Sequence, residues 1–280
     1  MAAMTGKVCL VTGGTSGVGR SIAAACARAG ATVVIVSRDK GRGDIAAQRM
    51  RDATGNPRVE ALQADLGVME SVRDLADVFR RRYDGLHVLS LNAATLTMKR
   101  QITRDGYESM FAANYLGPFL LTNLLLPLLR ASAPSRVIAV SGHPTSLMHV
   151  RLDLDDLMLK KGFSPIKTTA RAALAKALFM FELARRMQGT GVTANTFHPG
   201  FVRSSLPGSL PWLLRLPVGL AMLLASTECA TGIKLAVSPE VEGVTGRFFV
   251  GRKSVEFHPR YDVADEALRL WEASARLTGL

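Results

Sequence analysis

The sequence predicts an α/β fold, a doubly wound sheet of seven parallel strands with helices on both faces and a substrate lid. Two observations predict it. Short apolar runs rich in β-branched residues alternate with longer stretches of helical period, which is how strands buried on both faces and their crossover helices read. The first of these runs ends in a cluster of glycines that opens directly into a helical stretch, the local chemistry of a phosphate-binding turn.

Taken in order, the expected strands are Val8–Val11, Thr32–Val36, Val59–Gln63, His87–Leu91, Val137–Val140, Val192–Phe197 and Arg247–Val250. The clearest helices between and after them are Arg20–Ala29, Ser71–Arg82, Tyr107–Leu129, Thr168–Met187 and Asp262–Leu277. Strands joined by helical crossovers make a Rossmann-type sheet, whose ligands sit beyond the carboxyl ends of the strands. The 280 residues suit one domain over residues 1–280, burying roughly three quarters of the unfolded surface. Ser204–Ser226 departs from the alternation. It is apolar but broken by Pro207, Pro211, Arg215 and Pro217, which argues against a membrane-spanning helix; a lid over the substrate at about 204–226 is expected, with a membrane-surface segment and plain packing as the alternatives.

Composition narrows the partners. With 48% hydrophobic and 21% charged residues the chain has the makeup of a packed protein. Cys9, Cys26 and Cys229 are too few and too widely spaced for a disulfide framework or a zinc site, so no metal is expected. The first strand is expected to begin by Lys7 or Val8, leaving no room for a signal peptide or an N-terminal membrane anchor, and the expectation is a cytoplasmic protein. A net charge of +12 suits an anionic partner. The basic residues are scattered, with Arg80–Arg82 the longest run and no interleaved aromatics, so nucleic acid is not expected. Assembly into a homo-oligomer is left open.

The glycine turn reads Thr12-Gly13-Gly14-Thr15-Ser16-Gly17-Val18-Gly19, with a helix opening at Arg20. Glycine lets the backbone turn tightly and approach a pyrophosphate, which then rests on the helix N-terminus. Gly13, Thr15, Ser16, Gly17, Val18 and Gly19 are therefore expected to cradle a dinucleotide. An acidic residue after the second strand would accept from a ribose 2′-hydroxyl, whereas this chain has Ser37 and Arg38. A guanidinium binds a 2′-phosphate through charge-assisted hydrogen bonds, so NADPH is the expected cofactor and NADH the alternative.

These residues resemble the short-chain dehydrogenase/reductase family over essentially the whole chain. The turn Thr12–Gly19 resembles its T-G-x-x-x-G-x-G motif. Asp65, in Ala64-Asp65-Leu66, matches its adenine-contacting aspartate, and Leu91-Asn92-Ala93-Ala94 is similar to its N-N-A-G motif, with Ala94 in place of the glycine. Asn114 falls at the family's catalytic-helix asparagine. His198-Pro199-Gly200-Phe201-Val202-Arg203-Ser204 resembles the P-G motif, which implies that Val202 and Ser204 lie beside the nicotinamide carboxamide and phosphates. Within the family, Asp105–Val140 and Glu242–Leu280 are most similar to retinol-dehydrogenase-like reductases.

The resemblance fails where the family's chemistry lies. Its serine after strand five falls on Gly142, one residue past Ser141, and its Tyr-x-x-x-Lys falls on Thr169 and Ala173. The tyrosines are Tyr83, Tyr107, Tyr115 and Tyr261, so no change of register restores the triad. Lys167 and Lys176 flank the site without the required spacing and read as surface lysines. Asn114, Ser141 and His143 are the candidate catalytic groups. Thr95, His143, Phe201 and Trp212 are the candidate substrate-pocket residues, and Asn92 and His198 complete the polar surroundings. The expected activity is ketone reduction with nicotinamide hydride on a large aromatic polyketide-type substrate whose own hydroxyl, or water, supplies the proton. The chain resembles in this respect a triad-lacking ketoreductase of angucyclinone biosynthesis. A dinucleotide-binding pseudoenzyme and a non-redox enzyme using the same pocket are the alternatives.

Overall fold

One sheet of eight strands, in the order β3-β2-β1-β4-β5-β6-β7-β8, organises the computed structural model, which describes residues 3–202, 225–257, 259 and 262–280. The strands are β1 (Val8–Thr12), β2 (Thr32–Ser37), β3 (Val59–Gln63), β4 (Val88–Leu91), β5 (Ser135–Val140), β6 (Val192–His198), β7 (Phe248–Val250) and β8 (Lys253–Val255). The first seven pair in parallel and β8 turns back antiparallel on β7. The sequence reading counted seven strands and missed β8. Its three residues are too short a run, and its two most exposed positions, Lys253 and Ser254, carry no apolar signal.

The helices are α1 (Gly17–Arg28), α2 (Lys40–Thr54), α3 (Met69–Arg82), α4 (Ser109–Phe111), α5 (Gly117–Ala131), α6 (Pro144–Leu147), α7 (Pro165–Arg186), α8 (Ala230–Val237) and α9 (Val263–Thr278). The first strands form because β-branched runs such as Thr32-Val33-Val34-Ile35-Val36 can bury both faces, and Val33 to Val36 are buried. Asp39 caps α2, its carboxylate accepting from the Arg42 N–H at 2.7 Å, and Asp262 caps α9 in the same way.

The stretch expected as one helix over Tyr107–Leu129 is broken. Glu108 caps the short α4, the chain then widens into a π turn over Ala112–Leu116, and α5 follows. Asn114 sits in that π turn, a distortion that recurs at functional sites. The apolar run Ser109–Ala131 is long enough to cross a membrane, but 67% of its most apolar window is buried inside the protein. Its Phe119 ring packs edge-on against Phe179 of α7 and Trp271 of α9. Such pairs contribute about 0.5–1.5 kcal/mol each beyond the area they bury. Tyr115 joins this cluster, fully buried, with its hydroxyl 2.7 Å from the Ser274 hydroxyl of α9.

Two core layers result, one on each side of the sheet: α3, α5, α7 and α9 cover one face, and α1, α2 and α8 the other. The carboxyl ends of β1, β2, β4, β5 and β6 thereby share one edge, and the candidate site is built there.

Candidate functional site

The turn after β1 is held by the turn after β4. Thr12 Oγ1 accepts from the Asn92 and Ala93 N–H groups at 3.0 and 3.2 Å and lies 3.3 Å from the Ser90 carbonyl, to which it donates. Gly13 has φ +66°, and a Cβ there would meet the Ala93 Cα at 2.9 Å. A Cβ at Gly19 would collide with the Gly13 carbonyl, so the helix can start this close to the strand only with glycine at both positions. No acidic side chain occupies the first turn of α1, leaving its N-terminus suited to an anion. Thr15 and Ser16 border a groove of about 710 Å³ between α1 and α2 that Arg20, Arg42 and Arg49 also line.

At the end of β2, Ser37 Oγ donates to the Asp39 carbonyl at 2.8 Å, and Gln63 Nε2 donates to the Arg38 carbonyl at 3.0 Å. The backbone of Arg38 is thus anchored while its exposed guanidinium has no ion pair among the described residues. The neighbouring carboxylate, Asp39, is turned to the N-terminus of α2. Asp65 accepts from the Gly67 N–H at 2.9 Å and remains exposed, whereas Leu66 is buried. Asn92 donates to Ser90 Oγ at 2.8 Å, but its buried Oδ1 has no partner. A glycine cradle, a free guanidinium and an orphaned acceptor beside them fit a nicotinamide dinucleotide.

The other end of that cradle is formed by β6. Gly200 has φ +72°, Pro199 follows His198, and Phe201 is 55% exposed. Val202 pairs with Ser226, and the Ser226 N–H donates to the Phe201 carbonyl at 3.0 Å, so the chain departs from and returns to one point. Ser204, Trp212 and most of the expected lid lie outside the described residues.

The catalytic candidates are placed differently from expectation. Ser141 Oγ donates to the Ala173 carbonyl of α7 at 2.8 Å, so its hydroxyl hydrogen is committed to a helix and not to the pocket. Asn114 is turned to the chain after β4: its Oδ1 accepts from the Thr95 N–H at 2.7 Å and its Nδ2 donates to the Thr95 carbonyl at 3.0 Å. It fixes the loop that carries Thr95. Thr169 Oγ1 donates back to the Pro165 carbonyl at 2.8 Å.

His143 caps α6, its Nδ1 accepting from the Thr145 N–H at 3.3 Å. That bond places the proton of the neutral ring on Nε2, making His143 a hydrogen-bond donor. Its ring meets His198 edge to face with centroids 5.0 Å apart. Burial first, and then the neighbouring His143, lower the His198 pKa, with the Ser141 backbone opposing. The His198 ring is thereby kept neutral at ordinary pH. His198 Nδ1 and Thr97 Oγ1 are buried without partners, like Asn92 Oδ1, and these three orphaned atoms sit on the segments following β4 and ending β6.

Sequence reasoning placed His198 near the site without a role and did not find Thr97, whose position in an irregular segment gives no periodic signal. It also misread Lys176. Lys167 is exposed as expected, but Lys176 is 3% exposed, because α7 is enclosed on nearly all sides over Ala172–Met180.

The comparisons with known proteins agree with this geometry. Residues 7–149 match the family described as short chain dehydrogenase. Retinol dehydrogenase 13 of Mus musculus is 37% identical, covering 100% of this chain and 86% of that protein. Retinol dehydrogenase 14 of Homo sapiens is 38% identical over 99% of this chain and 88% of its own. Among solved structures, an uncharacterised protein from Mycobacterium paratuberculosis superimposes with a TM-score of 0.72 at 30% identity, covering 98% and 94% of the two chains. The RhlG/NADP active-site complex of Pseudomonas aeruginosa gives 0.65 at 26% identity, covering 89% and 96%. The chain belongs to the short-chain dehydrogenase/reductase family of nicotinamide-dependent oxidoreductases.

Proposed function

We propose that this protein is an NADPH-dependent ketoreductase that works without the family's Ser/Tyr/Lys triad, on a large aromatic ketone of polyketide type, an angucyclinone being the reference case. The observation that carries the reading is the absence of an acidic proton among the described pocket side chains. Ser141 donates its hydroxyl hydrogen to the Ala173 carbonyl, and His143 Nδ1 accepts from the Thr145 N–H. Thr169 and Ala173 occupy the positions that align with the family's tyrosine and lysine.

The Thr12–Gly19 turn, Arg38, Asp65, Asn92 and the Pro199-Gly200 turn would hold the dinucleotide, which when bound would supply hydride to the ketone carbon. The preference for NADPH is supported by Arg38, which offers a 2′-phosphate an unpaired charge where NADH would need a carboxylate. Once the carbonyl carbon gains hydride, its oxygen is one proton short. A hydroxyl on the adjoining ring gives that proton through an internal hydrogen bond, is left as an aryl oxide, and recovers a proton from water. Before that, the same internal bond polarises the ketone, the work an oxyanion donor does elsewhere. With Nδ1 accepting from Thr145, His143 keeps Nε2–H as the group that would orient the oxygen pair. The apolar, exposed Phe201 would pack on the aromatic substrate.

The test is NADPH oxidation with paired aromatic ketones, one bearing a free hydroxyl beside the carbonyl and one with that hydroxyl methylated. Turnover of the first and a loss of at least about 10²-fold on the second are expected. Equal turnover would remove substrate-assisted protonation. Tight NADPH binding with no reduction of any ketone would favour the pseudoenzyme.

A further inference from the structure

The groove of about 710 Å³ between α1 and α2 begins at Thr15 and Ser16 and then leaves the cofactor turn behind, for Arg38, Asp65 and Asn92 are not on its walls. Each helix turns one stripe toward it. Arg20, Ala24 and Arg28 recur at every fourth position of α1, and Arg42, Ala46, Arg49 and Ala53 at every third or fourth of α2, the spacing of neighbours on a helix surface. Alanine at 24, 46 and 53 is too short to fill the space between two packed helices, so a furrow stays open. Met50 lies buried beneath it, and Ile45, 55% exposed, keeps its rim apolar. The chain at Thr227 and Glu228 makes a third wall, held to α1 by the Cys229 N–H donating to Ser21 Oγ at 2.8 Å and by the Arg28–Glu228 ion pair at 3.1 Å.

Four guanidinium groups and one carboxylate line this furrow. The carboxylate, Glu228, is taken by Arg28, and Arg42 has Asp39 at 3.9 Å. Arg20 and Arg49 have no side-chain hydrogen bond or ion pair among the described residues. A site for bare phosphate or for nucleic acid would set polar groups between its arginines, whereas here alanine, methionine and isoleucine lie between them. The chemistry is that of an anion carrying an apolar body. Arg20 and Arg28 stand eight residues apart, so the furrow offers about 12 Å of length along α1. Its volume falls within the roughly 300–1,000 Å³ of small-molecule sites, and a concave furrow between two helices suits a single chain better than a flat membrane surface.

We propose that the groove between α1 and α2 is a binding site for an anionic amphiphile, a single apolar chain with a carboxylate or phosphate head: the chain lies along Ala24, Ala46 and Met50, and the head is met by Arg49, the unpaired guanidinium that does not adjoin the Thr12–Gly19 turn. No ketone and no hydride enters this site. Its occupancy is therefore read whether or not the chain reduces a carbonyl.

The probe is sodium decanoate, titrated calorimetrically into the full chain, and one site per chain is expected. Octanoate should bind about tenfold more weakly, since two fewer methylenes leave water. Decyltrimethylammonium, with the decanoate-length chain and the opposite charge, should not bind. Arg49→Glu removes the counter-charge, and Ala46→Leu fills the furrow with a good helix former; each should weaken decanoate by at least about tenfold while Tm and NADPH affinity stay unchanged. Equal decanoate affinity in wild type and both variants would overturn the proposal, as would equal uptake of the cationic chain. Inorganic phosphate binding as tightly as decanoate would reduce the furrow to a plain anion site and would equally sink it. Flotation with phosphatidylglycerol vesicles, without uptake of monomeric decanoate, would make the arginines a membrane-facing surface instead.

Discussion

Ser141 donates its hydroxyl hydrogen to the carbonyl of Ala173 at 2.8 Å, tying the end of β5 to α7. A hydroxyl so placed supports structure more than reaction. Ser141→Ala should keep ketone reduction within about threefold, since a general acid would contribute ~10²- to 10⁴-fold. It should lower stability by about 1–3 kcal/mol, because a buried carbonyl loses its donor. Denaturant titration and steady-state rates on the same preparation check both. A collapse of kcat with unchanged stability would return Ser141 to the catalytic list.

Arg38 decides between the two nicotinamide cofactors if its free guanidinium meets a 2′-phosphate. Replacing it with aspartate removes that counter-charge and installs an acceptor for a ribose hydroxyl. The swing expected is about 1.5–3 kcal/mol for a charged hydrogen bond, enough to turn a preference for NADPH into one for NADH. Because the backbone of Arg38 is anchored by Gln63 and the cap of α2 belongs to Asp39, Arg38→Asp should not unfold the turn. Dissociation constants for both cofactors, before and after the change, are the measurement. Indifference to the substitution would place the selectivity elsewhere.

The sheet and the glycine turn were legible because their signals are local. Apolar runs such as Thr32–Val36 declare a buried strand, and the spacing Gly13 to Gly19 reports a close approach that the Ala93 Cα and the Gly13 carbonyl enforce. What stayed hidden depends on residues distant in the chain. His143 and His198 meet across a separation of more than fifty positions, and no pattern around either announces the other. Lys176 looked like a surface residue because alanines dominate its neighbourhood and a helix enclosed all round has no polar face to locate. Ser141 was singled out for its proximity to the degenerate motif, yet the direction of its hydroxyl depends on the carbonyl of Ala173, which the motif does not mention.

Acid stability offers a prediction at the opposite edge of the sheet. His87 Nδ1 accepts from the Val8 N–H at 3.1 Å, and burial first, then the charge of Lys7, lower its pKa from 6.5. The unfolded chain therefore binds a proton at higher pH than the folded chain. The stabilisation is complete above the unfolded value near pH 6.5 and is lost as pH falls through the lower folded value. Urea midpoints between pH 7.5 and pH 5 should decline more steeply for wild type than for His87→Gln, which keeps an acceptor without a titration in this range. Parallel declines in the two proteins would contradict the assignment.

His143 separates positioning from proton transfer. Its Nδ1 caps α6 and its ring meets that of His198 at nearly a right angle, so one side chain does structural work and, in the proposed reaction, orients the substrate oxygens. His143→Ser retains a good helix cap and removes the ring. His143→Ala removes both and should cost about 1 kcal/mol more in stability. If the substrate's own hydroxyl delivers the proton, each variant should raise KM several-fold and leave kcat within about tenfold of wild type, because losing an orienting contact weakens binding before it touches the barrier. Removal of the ring in His143→Ser should leave the shape of the kcat profile against pH unchanged, because the substrate and not the ring carries the proton that is transferred. A general acid would give the opposite pattern: kcat down by ~10²- to 10⁴-fold with KM unchanged, full activity on the methylated ketone, and an alkaline limb of the pH profile that disappears with the ring. That combination in His143→Ser would transfer the proton from the substrate to the histidine.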